Sequence, residues 1–133
     1  MSLSKVFSNV VCFMTSKSNS WHDFNGKRMV QIPNTIVDVI KAVRVRIENE
    51  LDIKKMLLFG SYAKGNFSEN SDIDLCIVAA NVENEFLEAL KIAPKIVDID
   101  TRIEPIVVSE KEYYEQNVFG ILKEIKLYGV EIV

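Results

Sequence analysis

Residues 60–74 read GSYAKGNFSENSDID, and the runs on either side of them decide the fold. Upstream, Met56, Leu57, Leu58 and Phe59 form a continuous apolar run ended by Gly60, the pattern of a strand buried on both faces. Downstream, Ile73, Leu75, Ile77 and Ala79 alternate with Asp72, Asp74, Cys76 and Val78, which predicts a second strand. Between them Asn66, Ser68, Asn70 and Ser71 are turn formers whose short polar side chains bond nearby backbone.

Working outward, Ile36, Ile40, Val43, Ile47 and Leu51 recur at three-to-four spacing after Pro33, which predicts an amphipathic helix over 34–50. Phe86, Leu87, Leu90 and Ala93 mark a second helix, with Pro94 expected to stop it. A third strand is expected from about Ile96 to Val108. Val118, Ile121, Leu122, Ile125 and Tyr128 then mark a last helix closed by Gly129. The order helix, strand, strand, helix, strand, helix predicts an α/β (α+β) fold, a small mixed sheet flanked by helices.

The chain has 133 residues, 48% of them hydrophobic, which suits one domain with a buried core. That domain is expected over 29–133. Residues 1–28 are rich in Ser, Asn and Lys and, apart from VVCFM at 10–14, show no sustained period. They read as an extension, poorly ordered or loosely packed, with Met29 as an alternative start. Lys5, Lys17, Lys27 and Arg28 against Asp23 give this extension a net charge of +3, so the overall −3 leaves −6 for residues 29–133. An acidic body is the opposite of a surface that neutralises many phosphates, so a long nucleic acid is not an expected partner. Cys12 and Cys76 stand far apart in sequence, the usage of a reduced, cytoplasmic protein. Nothing approaches a membrane span, and VVCFM lacks the flanks of a signal peptide.

Asp72 and Asp74 are two apart on a predicted strand, so both side chains share a face with Cα atoms roughly 7 Å apart. Like charges in that position repel, and a divalent cation between them would remove the repulsion; hard carboxylate oxygens suit Mg²⁺. Gly60 permits a tight turn close to a ligand, Ser61 adds a hydroxyl, Lys64 adds a positive charge, and a helix start offers N–H groups to anionic oxygens. A phosphate cradle and a carboxylate pair, joined by the ten residues 62–71, describe a nucleoside triphosphate site. Tyr62, Tyr113 and Tyr114 read as packing, and Glu83, Glu85 and Glu88 as a solvated helix face.

Gly60-Ser61, ten residues, then Asp72-Ile73-Asp74 resembles the signature of the DNA polymerase β-like nucleotidyltransferase superfamily. The wording GSYAKG and SDIDL is most similar to its minimal nucleotidyltransferase branch. The resemblance covers roughly residues 30–133. It implies a triad of carboxylates holding two Mg²⁺ ions, or Mn²⁺, with the third acid on a later strand. Asp98, Asp100 and Glu104 are the candidates, and all have even numbers, so strand parity does not choose among them. The family pattern of an acid ahead of a further apolar strand favours Glu104, in Ile103-Glu104-Pro105-Ile106-Val107, with Asp100 second. Arg102 beside these acids also fits a salt-bridged surface strand.

The resemblance further implies transfer of a nucleoside monophosphate, AMP from ATP being the commonest, to an acceptor hydroxyl. Asp72, Asp74 and Glu104 would be catalytic and metal-binding, and Gly60, Ser61 and Lys64 would hold the nucleotide. Members of the minimal branch commonly act as antitoxin to a small helical HEPN protein, and with about 25 residues after the third strand the acceptor site is expected to be completed by another chain or a second copy. Two other readings remain: a nucleotide- or partner-binding module without turnover, and a homodimeric enzyme that modifies a small molecule between its copies.

Overall fold

The computed structural model describes residues 3–7, 10–15, 20–22, 28–29 and 31–132. Two compact units divide at residues 31 and 32. In the first, β1 (Leu3–Phe7), β2 (Val10–Thr15), β3 (Ser20–His22) and β4 (Arg28–Met29) pair in sequence order, each antiparallel to the next. Apart from the apolar run at 10–14, no periodic pattern pointed to regular elements in this stretch. Strands of two to six residues are too short to establish a period of two, which is why the pattern hid them. The remaining residues of the expected extension over 1–28 lie outside the described ones.

The second unit carries α1 (Asn34–Ile47), β5 (Asp52–Phe59), α2 (Ser61–Lys64), β6 (Ile73–Ala80), α3 (Glu85–Val97), β7 (Ile103–Ser109), α4 (Glu110–Tyr113), α5 (Gly120–Tyr128) and β8 (Val130–Glu131). Its sheet runs β7-β6-β5-β8, with β6 parallel to β7 and antiparallel to β5. This is the mixed sheet expected from the element order. On one face, Ile36, Ile40, Val43 and Ile47 of α1 and Ile92 and Ile96 of α3 pack with Met56, Leu58, Leu75 and Ile77. On the other, Leu122 and Ile125 of α5 and Tyr113 of α4 pack with Leu57, Phe59, Cys76 and Val78. Alternate residues of β5 and β6 therefore serve two cores, which explains why both strands read as apolar.

Pro94 does not stop α3, which runs on to Val97. An interior proline costs about 3 kcal/mol, while burying a large aliphatic side chain contributes about 1.5–3 kcal/mol. Ile92 and Ile96, both buried, flank the proline and hold the last turn against the sheet. The apolar residues that marked this helix lie largely outside the core: Phe86, Leu87 and Leu90 are exposed.

The third strand starts at Ile103, not Ile96. Asp98 caps the C-terminal end of α3 and Asp100 sits in the turn that follows, so neither shares a strand face with Glu104. Strand parity does not apply to Asp98 and Asp100, because the helix extends through the proline into the expected strand.

Candidate active site

β6 lies between β7 and β5 in the four-stranded sheet, and its N-terminal end leaves the core with two acids. Ile73 is fully buried, whereas Asp72, just ahead of the strand, is exposed and Asp74 is partly buried. Asp74 lies on the row that continues through Cys76 and Val78, the face covered by α5. Across the parallel pair its register partner is Glu104, and on its other side it faces Phe59, the last residue of β5. Neighbouring strands stand about 4.8 Å apart, so the fold brings Asp74 and Glu104 together, with Asp72 just ahead of β6.

The cost is visible in the acid itself. Asp74 has its pKa raised by burial first, then by the charges of Glu104 and Asp72, with Glu124 adding further repulsion. Among the described residues no arginine or lysine figures among the causes, which all act in the raising direction. Asp100, the alternative third acid, has the opposite environment. Arg102 bonds both of its carboxylate oxygens, at 3.1 and 2.7 Å, and holds its pKa below the usual carboxylate range. Asp98 remains at the exposed end of α3.

Gly60 makes the turn into α2 with φ +68° and ψ −143°, a conformation that L side chains rarely adopt. A Cβ built there would fall 2.1 Å from Oδ2 of Asp74. The glycine thus serves two needs at once: the turn and the close approach of the carboxylate. Ser61 opens the single turn of α2, whose first backbone N–H to bond back is that of Lys64, to the Gly60 carbonyl at 3.1 Å. The N–H groups of Ser61, Tyr62 and Ala63 therefore have no acceptor within the helix, and no side chain caps them.

Lys64 has a different partner from the one its sequence position suggested. Its Nζ forms an ion pair with Oε1 of Glu124 at 2.6 Å and lies 5.7 Å from the Tyr128 ring centroid. Glu124 and Tyr128 are one turn apart on α5, so this helix reaches the site from the side. Sequence reasoning missed Glu124, because a pairing across sixty residues leaves no local signal. Cys76 lies beneath Asp74 on the same row; burial pushes its thiol up to about 12, so it stays protonated and inert.

Among the described residues, no three acidic, His or Cys side chains stand grouped closely enough to hold an ion by themselves. The donor set nonetheless suits a hard cation: two carboxylates in register, a third two residues away, and mutual repulsion that positive charge would relieve.

The sequence matches the family described as Nucleotidyltransferase domain over residues 38–131. The chain belongs to that family. This nucleotidyltransferase is 31% identical over 102 residues to a provisionally named protein adenylyltransferase of Methanocaldococcus jannaschii, a match spanning 73% of this chain and 98% of that protein. A second protein of that organism with the same assignment is 33% identical over 87 residues, 62% of this chain and 58% of its own length. Among solved structures, the nucleotidyltransferase shares its fold with one assigned the same activity from Sulfolobus solfataricus, at TM-score 0.55 and 20% identity, covering 74% of this chain and 79% of that one. A toxin-antitoxin structure with AMP-PNP matches at TM-score 0.52 and 19% identity, covering 73% and 72%. Both matches span most of the chain, as the mixed sheet and flanking helices lead one to expect. Among the described residues no helix is long and apolar enough to cross a membrane.

Proposed function

We propose that this nucleotidyltransferase moves AMP from ATP to a hydroxyl on a protein acceptor, with Mg²⁺ held by Asp72, Asp74 and Glu104. The observation that carries the reading is the register of Asp74 with Glu104 directly beside Gly60. Repelling carboxylates beside backbone N–H groups with no acceptor in their own helix support reading the two as halves of a triphosphate–metal site. Bound there, divalent cations supply charge neutralisation of the phosphates and lower the pKa of the attacking hydroxyl.

The chain's own groups divide the remaining work. Ser61 and the N–H groups at the start of α2 hold the phosphates. The cradle rests on Gly60 and Ser61, with the ammonium of Lys64, three residues on from Ser61, paired to Glu124. Glu104, exposed at the open side of the pair, accepts the proton of the acceptor hydroxyl. The acceptor oxygen then bonds to the α-phosphorus, the bond to the bridging oxygen breaks, and pyrophosphate leaves.

A protein acceptor is supported by the assignment of the Methanocaldococcus relatives, and a toxin partner by the subject of the AMP-PNP structure. The partner proposed is the small helical HEPN protein that the resemblance of the sequence to the minimal branch implies. The test is incubation with ATP labelled at the α-phosphate, Mg²⁺ and such a partner. Label on the partner with one pyrophosphate released per transfer is expected. ATP binding without pyrophosphate release would instead mark a binding module, and label on a small molecule held between two copies would move the acceptor site.

A further inference from the structure

The Arg102 side chain donates three hydrogen bonds, and they run to pieces of chain that carry the candidate site. Its Nε and Nη2 donate to the two carboxylate oxygens of Asp100, at 3.1 and 2.7 Å. Its Nη1 donates to the carbonyl of Glu69 at 2.8 Å, in the connection three residues ahead of Asp72. Its main chain takes part as well. The Arg102 N–H donates to Oδ1 of Asp100 at 2.9 Å, and the Arg102 carbonyl accepts from the N–H of Ile73, between Asp72 and Asp74, at 2.9 Å. Tyr62, one residue past Ser61, lines the same cavity as Arg102.

We propose that Asp100 and Arg102 are positioning residues for the carboxylate triad, clamping the lead-in of β7 to the lead-in of β6 so that Glu104 and Asp72 converge on Asp74. The clamp rests on the functional reading above. The connection 65–72 is mostly exposed and has few apolar anchors, so without the Glu69 bond the residues before Asp72 would be free to shift. The bond to Asp100 is bidentate, which only a planar guanidinium provides, and the same guanidinium must also reach Glu69. A lysine offers one ammonium on a flexible stem and cannot hold both partners in this geometry.

The test uses the full chain and measures Mn²⁺ alone by electron paramagnetic resonance, at a temperature where circular dichroism shows every variant folded. Arg102→Lys and Arg102→Leu should weaken Mn²⁺ binding about tenfold and lower kcat about ten- to a hundredfold, with KM for ATP changed less than about twofold. Asp100→Asn should act in the same direction, and Asp100→Asn with Arg102→Lys should be no worse than Arg102→Lys alone, because the two form one unit. A purely structural ion pair would leave Mn²⁺ affinity of the folded protein unchanged. Unaltered Mn²⁺ affinity and kcat in both Arg102 variants, or fully additive effects, would overturn the clamp. Failure of the unaltered chain to bind Mn²⁺ would overturn the functional reading, and the clamp with it.

Discussion

Asp74→Asn is expected to lower nucleotidyl transfer about a thousandfold, equivalent to about 4 kcal/mol of barrier, while raising the thermal stability of the protein without divalent cations. The two effects have one origin. Asp74 is the acid on which burial and the charges of Glu104, Asp72 and Glu124 all converge, and its folded pKa lies above its ordinary value. The sign follows from linkage: a carboxyl that holds its proton more tightly when folded makes the folded state lose stability as pH rises through the raised pKa. Asparagine keeps the shape and removes the charge, so the variant escapes that loss. Thermal unfolding in a chelator at neutral pH checks the stability, and pyrophosphate release checks the activity. The difference in stability should shrink as pH is lowered towards the ordinary pKa of aspartate, because the native residue then becomes protonated. A variant equally inactive but destabilised in the chelator would contradict this account of Asp74.

Gly60→Ala carries the second large effect. The added Cβ meets the Asp74 carboxylate at 2.1 Å, and the backbone at φ +68° is strained for any L side chain. Strain of this kind costs about 1–3 kcal/mol. Displacement of the carboxylate adds a catalytic loss of about a hundredfold or more, since misplacement by an ångström has that consequence. Gly120→Ala separates the two. Gly120 also has positive φ, at +59°, but nothing lies within 4 Å of its Cβ position. Its alanine variant should lose stability and keep its activity per folded molecule. Urea unfolding of both, with transfer assayed at matched folded concentration, distinguishes strain from displacement.

Much of the site was legible because it is local. Gly60, Ser61, Asp72 and Asp74 sit within fifteen residues, at the boundaries of two strands whose apolar runs are continuous or alternating. Glu104 was only favoured, by its place before an apolar strand, and the reason it could go no further is physical. Its nearness to Asp74 comes from parallel pairing of strands thirty residues apart, a relation with no periodic signature. The acids at 98 and 100 were misplaced for a different reason. Tertiary burial of Ile92 and Ile96 carried α3 past a proline that local propensity reads as a stop, and with the helix went the assumed strand parity. Glu124 shows the same limit at the level of side chains: its ion pair with Lys64, at 2.6 Å, joins positions sixty residues apart and leaves no local signal.

The claim beneath all of this is that repelling carboxylates are kept together for the sake of cations and a triphosphate. Crystals grown with Mn²⁺ and a nonhydrolysable ATP analogue test it most directly, through the anomalous signal of manganese. Manganese bonded to oxygens of Asp72, Asp74 and Glu104, with the phosphates seated over Gly60 and Ser61, is the predicted result. An ordered nucleotide bound elsewhere, or manganese that leaves Asp74 and Glu104 untouched, would contradict it.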